Sequence, residues 1–190
     1  MTEKEKMLNG DAYNSREPEL LAQYHSARKL LKAYNNLDST ALEERKKLLG
    51  SLLGKLGDGV WIEAPFFCDY GVHISIGENT FINTNCVFID NNKITIGKNC
   101  LIAPYVQIYT AEHPLKASER IIKSKKGTRY ITSTKSVKIG NNTWIGGNAV
   151  ICPGVTIGDN VTIGAGSVVT KSIPSNVLAF GNPCKVIKQL

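Results

Sequence analysis

An aliphatic residue recurs every six positions along much of this sequence, and no other feature constrains the fold as strongly. The longest uninterrupted series is Ile139, Ile145, Ile151, Ile157, Ile163 and Val169. The same step occurs earlier in Ile76, Ile82 and Phe88, and again in Ile96, Ile102 and Ile108. This period matches neither the helical turn of about 3.6 residues nor the alternation of a strand. It predicts a short strand followed by a sharp corner, repeated along the chain.

The third residue after each aliphatic one is Asn or Gly in eight repeats, which supports a corner at that position. These residues are Asn79, Asn85, Asn99, Asn142, Asn148, Gly154, Asn160 and Gly166. Asn and Gly enter the left-handed backbone region at the least energetic cost. The pattern therefore predicts a positive φ at these corners, although Tyr105 and Ser172 occupy the same position without fitting it.

Three such hexapeptides close one triangular coil, and successive coils stack as parallel strands about 4.8 Å apart. Aliphatic and small side chains then alternate inside the coil, the corners meet solvent, and each coil contacts only its neighbours. We therefore predict a mainly β protein with a parallel β-helix over residues 58–175.

The N-terminal segment, residues 1–57, lies outside the repeat and is predicted to be helical. Its leucines and tyrosines recur at helical spacing on one face. Pro18 marks the start of the first helix, with Ser15 as its predicted cap. A second helix is predicted to begin after Ser39 or Thr40.

Two further segments interrupt or follow the repeat. Residues 111–136, called the insertion below, separate Ile108 from Val137, and residues 176–190 form a C-terminal tail. An unrepeated polar insertion of this length in a solenoid is usually a functional loop.

Composition narrows the class of protein. Hydrophobic residues make up 42% of the 190 residues and charged residues 21%, as in ordinary globular proteins. The sequence has no apolar run of membrane-spanning length, and MTEKEKML lacks the apolar core of a secretory signal. The five Cys are odd in number and form no CxxC pair, which indicates free thiols and neither disulfides nor a zinc site. We expect a cytoplasmic protein without a membrane partner.

The net charge of +7 leaves several classes of ligand open, because a basic surface suits nucleic acids, anionic membranes or phosphorylated ligands. Part of this charge crowds into the insertion, at Lys116, Arg120, Lys123, Lys125, Lys126 and Arg129. This lysine-rich stretch has one aromatic residue, Tyr130, and no recognisable nucleic-acid-binding module, so nucleic acid is not the expected partner.

The chain has three His residues, which differ in how well their positions suit catalysis. His25 falls in the first predicted helix, where a structural or solvent-facing position is expected, and His73 lies beside the first clear repeat. His113, in TAEHP, stands where the insertion begins. An imidazole titrates near neutral pH and can remove a proton from an attacking alcohol. Gly147, in WIGG, offers an unhindered backbone N–H to a developing oxyanion, and the chain lacks a nucleophile elbow, which favours direct acyl transfer.

These residues stand in motifs that resemble one known family. The segments CDYG, IAPYVQIYTAEHP, GNPCKVI and the block from Ile139 to Lys171 are similar to the maltose and galactoside O-acetyltransferases. The resemblance runs across nearly the whole chain. It implies a left-handed β-helix, acetyl-CoA as co-substrate, no metal, and a homotrimer with active sites between neighbouring subunits.

The resemblance also implies roles for individual residues. His113 corresponds to the general base, and Asn83 to a residue that lines the acceptor and thioester end. Acceptor-pocket positions are occupied by Asp69, Phe81 and Asp90, with Ser15 and Glu17 near the place of a sugar-contacting acidic residue. Positions that hold CoA are occupied by Trp144, Gly147, Ala165, Thr170, Lys171, Lys185 and Lys188. The lysines would contact its phosphates.

The sequence departs from the family pattern in two places. Two lysines replace arginines at the C-terminal phosphate positions, which keeps the charge but loses the bidentate fork. The insertion, which would cover the acceptor, is also longer than in the sugar enzymes.

The leading hypothesis is acetyl transfer from acetyl-CoA to a hydroxyl of a sugar or similar small acceptor. A non-catalytic β-helix binding protein is an alternative, since solenoids readily serve as interaction surfaces. A zinc-dependent, carbonic-anhydrase-like trimer is another. That chemistry needs three His ligands, whereas only His73 and His113 lie in the β region.

Overall fold

The computed structural model describes residues 1–124 and 127–190, so Lys125 and Lys126 of the basic stretch lie outside the described residues. The helices of the described residues are α1 (Glu3–Asn9), α2 (Pro18–Asn35) and α3 (Leu42–Leu52), and a short 3-10 helix spans Ala117–Glu119. The strands of the first coils are β1 (Lys55–Leu56), β2 (Trp61–Ile62), β3 (Phe66–Cys68), β4 (Ile74–Ile76), β5 (Phe81–Ile82), β6 (Cys86–Ile89), β7 (Ile94–Ile96), β8 (Leu101–Ile102) and β9 (Gln107–Tyr109). The insertion contains β10 (Ala111–Glu112), β11 (Ile121–Ser124), β12 (Gly127–Tyr130) and β13 (Ser133–Thr134). The remaining strands are β14 (Val137–Ile139), β15 (Trp144–Ile145), β16 (Val150–Ile151), β17 (Thr156–Ile157), β18 (Thr162–Ile163), β19 (Val168–Val169), β20 (Val177–Gly181) and β21 (Cys184–Gln189).

The strands form the predicted triangular β-helix. The first sheet has the order β1-β4-β7-β14-β17, the second β2-β5-β8-β15-β18-β20-β21, and the third β3-β6-β9-β16-β19. Every pair within them is parallel except β20 with β21, so each coil contributes one strand to each sheet. The insertion leaves after β9, at the corner between the third and first sheets, and β14 still pairs with β7 beneath it.

The corner prediction is confirmed. All eight predicted Asn and Gly residues have a positive φ, for example 55° at Asn142 and 82° at Gly154. Tyr105, an exception in the sequence pattern, adopts the same conformation with a φ of 62°. The coil therefore imposes the left-handed conformation on a residue for which it is energetically unfavourable. Ser172 does not, and Asn176, four residues later, takes the left-handed corner with a φ of 63°.

One corner column carries a ladder of asparagine side chains, called the asparagine ladder below. Its members are Asn79, Asn99, Asn142, Asn160 and Asn176. Each of the first four amide nitrogens donates to the amide oxygen one coil further on, at distances from 3.4 Å for the first pair to 2.8 Å for the last. The link from Asn99 to Asn142 spans 43 residues, because the insertion lies between them in sequence.

The interior of the β-helix is filled by the predicted aliphatic series. Ile82, Ile145 and Ile151 are fully buried, and Phe66 packs edge-on against Phe88 with ring centroids 5.2 Å apart. Burying each such side chain contributes about 1.5–3 kcal/mol, so the stacked coils supply most of the driving force for folding.

The first predicted helix begins at Pro18 as predicted, but its cap differs from the prediction. Glu17, and not Ser15, caps α2, and its carboxylate accepts the backbone N–H of Glu19 at 3.2 Å. The second predicted helix, α3, begins at Leu42, two residues after Thr40, because the Asp38 carboxylate holds a turn by accepting the N–H and hydroxyl of Thr40. The short helix α1 lies in the same N-terminal segment and has a capping box at Thr2.

The C-terminal residues extend the second sheet. Strand β20 pairs in parallel with β18, and β21 folds back antiparallel on β20, so this tail closes one end of the β-helix. Among the described residues, none of the helices combines the length and the apolar composition of a membrane span.

Candidate active site

His113 lies at the root of the insertion, directly after β10, which pairs antiparallel with β13. Its side chain is exposed, and Nδ1 lies 2.7 Å from the backbone oxygen of Ile131. A carbonyl oxygen only accepts hydrogen bonds, so Nδ1 carries the hydrogen in this contact. The neutral ring therefore presents an unprotonated Nε2, which is the form that a general base requires.

The strand that orients His113 also contacts the N-terminal segment. The backbone N–H of Tyr13 donates to the oxygen of Thr132 at 3.2 Å, one residue from Ile131. The Arg16 guanidinium lies over the Tyr130 ring, 5.1 Å from its centroid. Residues 130–132 thus lie between the imidazole and the N-terminal segment.

A cleft of about 230 Å³ opens beside this segment and is called the Asp69 cleft below. It is lined by Ser15, Arg16, Leu21, Tyr24, Asp69, Tyr70 and Asn91. The structure therefore brings together Ser15 and Asp69, two predicted acceptor residues from distant parts of the chain. Aromatic walls with a few convergent polar groups suit a small polar ligand.

Asp69 is held by an ion pair with Arg28, which lies outside the lining of the cleft. Arg28 Nη2 lies 3.2 Å from Asp69 Oδ1, and the same guanidinium lies over the Tyr24 ring at 4.6 Å. Burial raises the pKa of Asp69, while the Arg28 charge lowers it. Burial also raises the pKa of Tyr70 to about 12, so its hydroxyl is a neutral donor and acceptor at physiological pH.

Asp90 was predicted in the acceptor pocket, but the structure buries it behind the cleft. Its side chain is fully buried, and Oδ1 accepts the backbone N–H groups of Asp69 at 3.0 Å and Tyr70 at 2.8 Å. Oδ2 accepts the N–H of His73 at 3.4 Å. Burial raises the pKa of Asp90 to about 7. The carboxyl group therefore shapes the loop that carries Asp69 and is sealed from a ligand in the cleft.

His73 shares this buried environment. Its Nδ1 donates to the Asp90 backbone oxygen at 2.7 Å, and Nε2 is buried without a hydrogen-bond partner among the described residues. Burial lowers the pKa of His73, so the ring is neutral at physiological pH. These contacts make His73 a structural residue of the loop.

Asn83 and Phe81 lie on the second sheet, around β5. Asn83 Oδ1 accepts the backbone N–H of Thr84 at 2.8 Å, whereas Nδ2 donates to no group in the described part of the chain. That leaves two N–H donors at the corner between the second and third sheets. Phe81 is half-buried on the outer face of β5, and within one chain Asn83 and His113 share no hydrogen bond.

The predicted CoA residues fall mainly along the second sheet and its following corner. Trp144 is 54% exposed on β15, and Gly147 and Ala165 occupy equivalent corner positions one coil apart. Neither corner N–H has an acceptor among the residues described, while the Gly147 oxygen accepts from Gly166 at 2.8 Å. A Cβ on Gly147 would lie 3.2 Å from the Pro104 oxygen, so the position is crowded for any larger residue.

The predicted phosphate-binding residues lie at the C-terminal end. Thr170 and Lys171 are exposed after β19, and Lys185 and Lys188 are exposed on β21. Lys188 pairs with Leu178, which continues the outer row of the second sheet from Trp144 through Thr162. Three strand spacings separate Trp144 from Lys188, or about 14 Å.

Glu17 is held at the start of α2 by its capping bond, next to the Ser15–Arg16 wall of the cleft. Sequence reasoning missed Arg28, Tyr24 and Asn91. Arg28 and Tyr24 stand four residues apart on one helical face, but Arg28 meets Asp69 across 41 residues. Its role as the ion-pair partner of Asp69 follows only from that long-range contact.

Comparisons with known proteins agree with this architecture. Residues 6–57 match the family described as "Maltose acetyltransferase hexapeptide capping motif", and residues 136–171 match "Bacterial transferase hexapeptide (six repeats)". A maltose O-acetyltransferase from Clostridium difficile is 48% identical and superposes with a TM-score of 0.94, covering 100% of this chain and 98% of the other.

Two further crystal structures contain a coenzyme. A galactoside acetyltransferase in complex with coenzyme A is 38% identical, with a TM-score of 0.91, over 100% of this chain and 91% of the other. A hexapeptide-repeat acetyltransferase of Vibrio cholerae in complex with acetyl coenzyme A is also 38% identical, with a TM-score of 0.90, over 100% and 99%. The β-helix, its capping helices and this identity over full length show that the chain belongs to the maltose and galactoside acetyltransferases, a family of hexapeptide-repeat acetyltransferases.

Proposed function

We propose that this acetyltransferase moves the acetyl group of acetyl-CoA to a hydroxyl of a sugar or similar small acceptor, with His113 as general base. Two similar structures hold CoA or acetyl-CoA, and two similar enzymes are named for sugars. The Asp69 cleft offers this chain's own groups for such an acceptor, namely carboxylate, guanidinium, amide and phenol groups between aromatic walls.

The observation that carries the proposal is the contact of His113 with the Ile131 oxygen. Nε2 removes the hydroxyl proton while the acceptor oxygen attacks the thioester carbonyl carbon. The tetrahedral intermediate then collapses, the C–S bond breaks, and the imidazolium returns the proton to the leaving CoA thiolate. The acetyl ester and CoA are the products, and no covalent enzyme intermediate forms.

Stabilising the negative charge of the oxyanion requires hydrogen-bond donors that have no other acceptor. The N–H of Gly147 and Nδ2 of Asn83 have no acceptors in the described residues, so either is available to the thioester oxygen. The exposed N–H of Ala165 and the lysines of the C-terminal strands suit the pantetheine amides and phosphates of CoA.

The proposed enzyme is a homotrimer with sites between copies. Asn83, Gly147 and Ala165 lie at the corner between the second and third sheets, whereas the insertion with His113 leaves from the corner between the third and first sheets. The two halves of the proposed site are thus at different corners of one chain. Packing the third sheet against neighbouring copies would bring His113 of one copy toward Asn83 of the next.

The test is His113→Ala, assayed by release of the CoA thiol with a panel of hydroxyl acceptors. We expect turnover to fall on the order of a hundredfold or more, because the base is lost, while acetyl-CoA still raises the melting temperature. His25→Ala removes the exposed histidine of α2 and is the matched control, with turnover unchanged.

Other outcomes would point elsewhere. Wild-type activity in His113→Ala would remove the imidazole from the mechanism. Binding of acetyl-CoA without turnover of any acceptor would favour the binding-protein alternative. Stoichiometric zinc in the purified protein would favour the metalloenzyme.

A further inference from the structure

A second cavity, called the Arg45 cavity below, lies between α3 and the first coil. Its volume is about 210 Å³. It is lined by Tyr34, Leu42, Glu43, Arg45, Lys46, Leu49, Leu56, Gly57, Gly59, Val60, Trp61 and Ile62. None of the predicted acetyl-transfer residues is among them, so the cavity is separate from the Asp69 cleft.

The charge of Arg45 is the unusual feature of this cavity. Arg45 is only 6% exposed, and its Nη2 donates to the Tyr34 hydroxyl at 3.1 Å and to the Ile62 oxygen at 2.9 Å. Both acceptors are neutral. The guanidinium has five N–H groups, and Nε and Nη1 donate to no group among the described residues, so most of its donors remain available.

The nearest carboxylate does not complete the pair. Glu63 Oε2 lies 3.9 Å from Arg45 Nη2, beyond hydrogen-bond distance, and the other oxygen of Glu63 accepts Trp61 Nε1 at 2.7 Å. A buried charge without a hydrogen-bonded counter-ion is costly, and an anion that enters the cavity would supply one. Lys46 on the cavity wall adds a second positive charge, and Glu43 on the same wall adds one negative charge.

Apart from Glu43, the rest of the wall is aromatic or aliphatic, and the Tyr34 ring lies 4.9 Å from the Arg45 guanidinium carbon. Leu49 is buried, Leu56 and Val60 are half-buried, and the Trp61 ring lies 5.7 Å from the Arg45 guanidinium carbon. An apolar protein cavity of about 150 Å³ accepts a benzene molecule, so this space admits a single ring with a small substituent. The combination matches a carboxylate attached to a flat apolar body.

We propose that the Arg45 cavity binds a small organic carboxylate with an apolar, planar body. The carboxylate accepts from the free N–H groups of Arg45, and the body packs against Trp61, Leu49 and Leu56. This inference does not depend on the proposed acetyl transfer, since neither His113 nor the Asp69 cleft contributes to it.

The two Trp residues of the chain provide the readout. Trp61 lines the cavity, and Trp144 lies three strands away in the same sheet, about 14 Å, so its indole N–H serves as an internal reference. We expect titration with sodium benzoate to shift the Trp61 indole signal saturably in a ¹⁵N correlation spectrum of the full-length protein, with Trp144→Phe assigning the signals. Benzamide, which has the same shape without the charge, should bind at least about tenfold more weakly.

Two variants test the location. Leu42 lines the cavity and is 51% exposed, so Leu42→Tyr should fill the space without disturbing the core and weaken benzoate binding about tenfold or more. Val72, 48% exposed and outside the cavity, gives the matched control Val72→Tyr, which should bind like the wild type. Arg45→Lys should also weaken binding, because the fork is lost.

Absence of a saturable shift at Trp61 would overturn the proposal. So would equal affinity for benzamide and benzoate, or unchanged binding in Leu42→Tyr. A loss of turnover in His113→Ala leaves this titration unaffected, so the two proposals fail independently.

Discussion

At the scale of single residues, this chain surrounds its proposed chemistry with buried polar groups that position others. Asp90 is the main example, because its side chain is fully buried and accepts three backbone N–H groups of the loop that carries Asp69. His113 depends on a similar arrangement, since a backbone oxygen 18 residues further along fixes its tautomer. In both cases the function of a side chain depends on a partner distant in sequence.

The buried carboxyl of Asp90 makes folding stability depend on pH. Its pKa is raised from an ordinary 3.8 to about 7, so the folded state binds more protons than the unfolded state between these values. Stability from this group is therefore present at low pH and is lost as pH rises toward and through 7. We expect Asp90→Asn, which can keep both contacts of Oδ1, to remove this dependence.

The measurement is urea unfolding of both proteins at pH 5 and pH 8. The free energy of unfolding of the wild type, relative to Asp90→Asn, should fall on the order of 1–3 kcal/mol over this range. A constant difference between the two proteins would show that Asp90 is ionised throughout.

The identity of the site residues could be predicted only in part. His113 could be identified from its place at the start of the insertion, and Gly147 from its place in the WIGG segment. Asp69 could be identified only from the resemblance to the family. The burial of Asp90 and the ion pair of Arg28 with Asp69 could not be predicted, because both depend on how distant segments pack.

At the scale of elements, the coil is specified by short-range chemistry and the insertion by long-range contacts. The six-residue spacing predicts most strands and corners, since most repeats contain their own aliphatic core residue and their own left-handed residue. The insertion interrupts this spacing, so the repeat could not predict the strands of the insertion or the helix α1 that contacts them. Their link is Asn92, which is buried and lies outside the repeating positions.

The asparagine ladder should contribute to stability beyond the backbone preference of Asn. Asn142 donates to Asn160 at 3.0 Å and accepts from Asn99 at 3.2 Å, whereas Asn148 has a similar φ of 58° and no side-chain hydrogen bond among the described residues. Asn142→Ala should therefore destabilise the protein by about 1 kcal/mol more than Asn148→Ala, as measured by urea unfolding. Equal losses would mean that the ladder contributes nothing and that only the positive φ matters.

Asn92 should hold the insertion in place. Its Nδ2 donates to the Leu8 oxygen at 3.1 Å, to the Met7 oxygen at 3.3 Å and to Thr134 Oγ1 at 2.9 Å, joining α1 to β13. Asn92→Ala removes these three buried contacts, while the Met7 oxygen keeps the Thr134 hydroxyl and the Gly10 N–H as donors. We expect a loss of about 1–3 kcal/mol of unfolding free energy. Faster amide hydrogen exchange should appear in residues 1–13 and 131–134.

The control for this variant is Asn91→Ala, one residue away on the Asp69 cleft. Exchange in residues 131–134 should remain at the wild-type rate there. If Asn92→Ala also exchanges at the wild-type rate, the contact of α1 with β13 does not hold the insertion.

At the scale of the whole molecule, the outer faces of the first and third sheets of the β-helix differ in chemistry. The outer row of the first sheet is polar and consists of Lys55, Ser75, Thr95, Lys138 and Thr156. The outer row of the third sheet is mainly apolar and consists of Phe67, Val87, Gln107, Val150 and Val168. The third sheet also lies between the corner of Asn83 and the corner of the insertion, so it is the face that a shared active site would bury.

Val87→Lys should therefore abolish assembly and turnover together. A lysine in the middle of the third face would bury an unpaired charge between copies, and the two halves of each site would separate. Sedimentation equilibrium should show a shift from the proposed trimer to a monomer, with turnover falling on the order of a hundredfold at the same protein concentration. Thr95→Lys adds the same charge in the polar row of the first sheet, where it is exposed, and should leave both mass and turnover unchanged. A monomeric Val87→Lys protein with wild-type turnover would mean that one chain holds the complete site, and the arrangement of His113 with a neighbour's Asn83 would then be wrong.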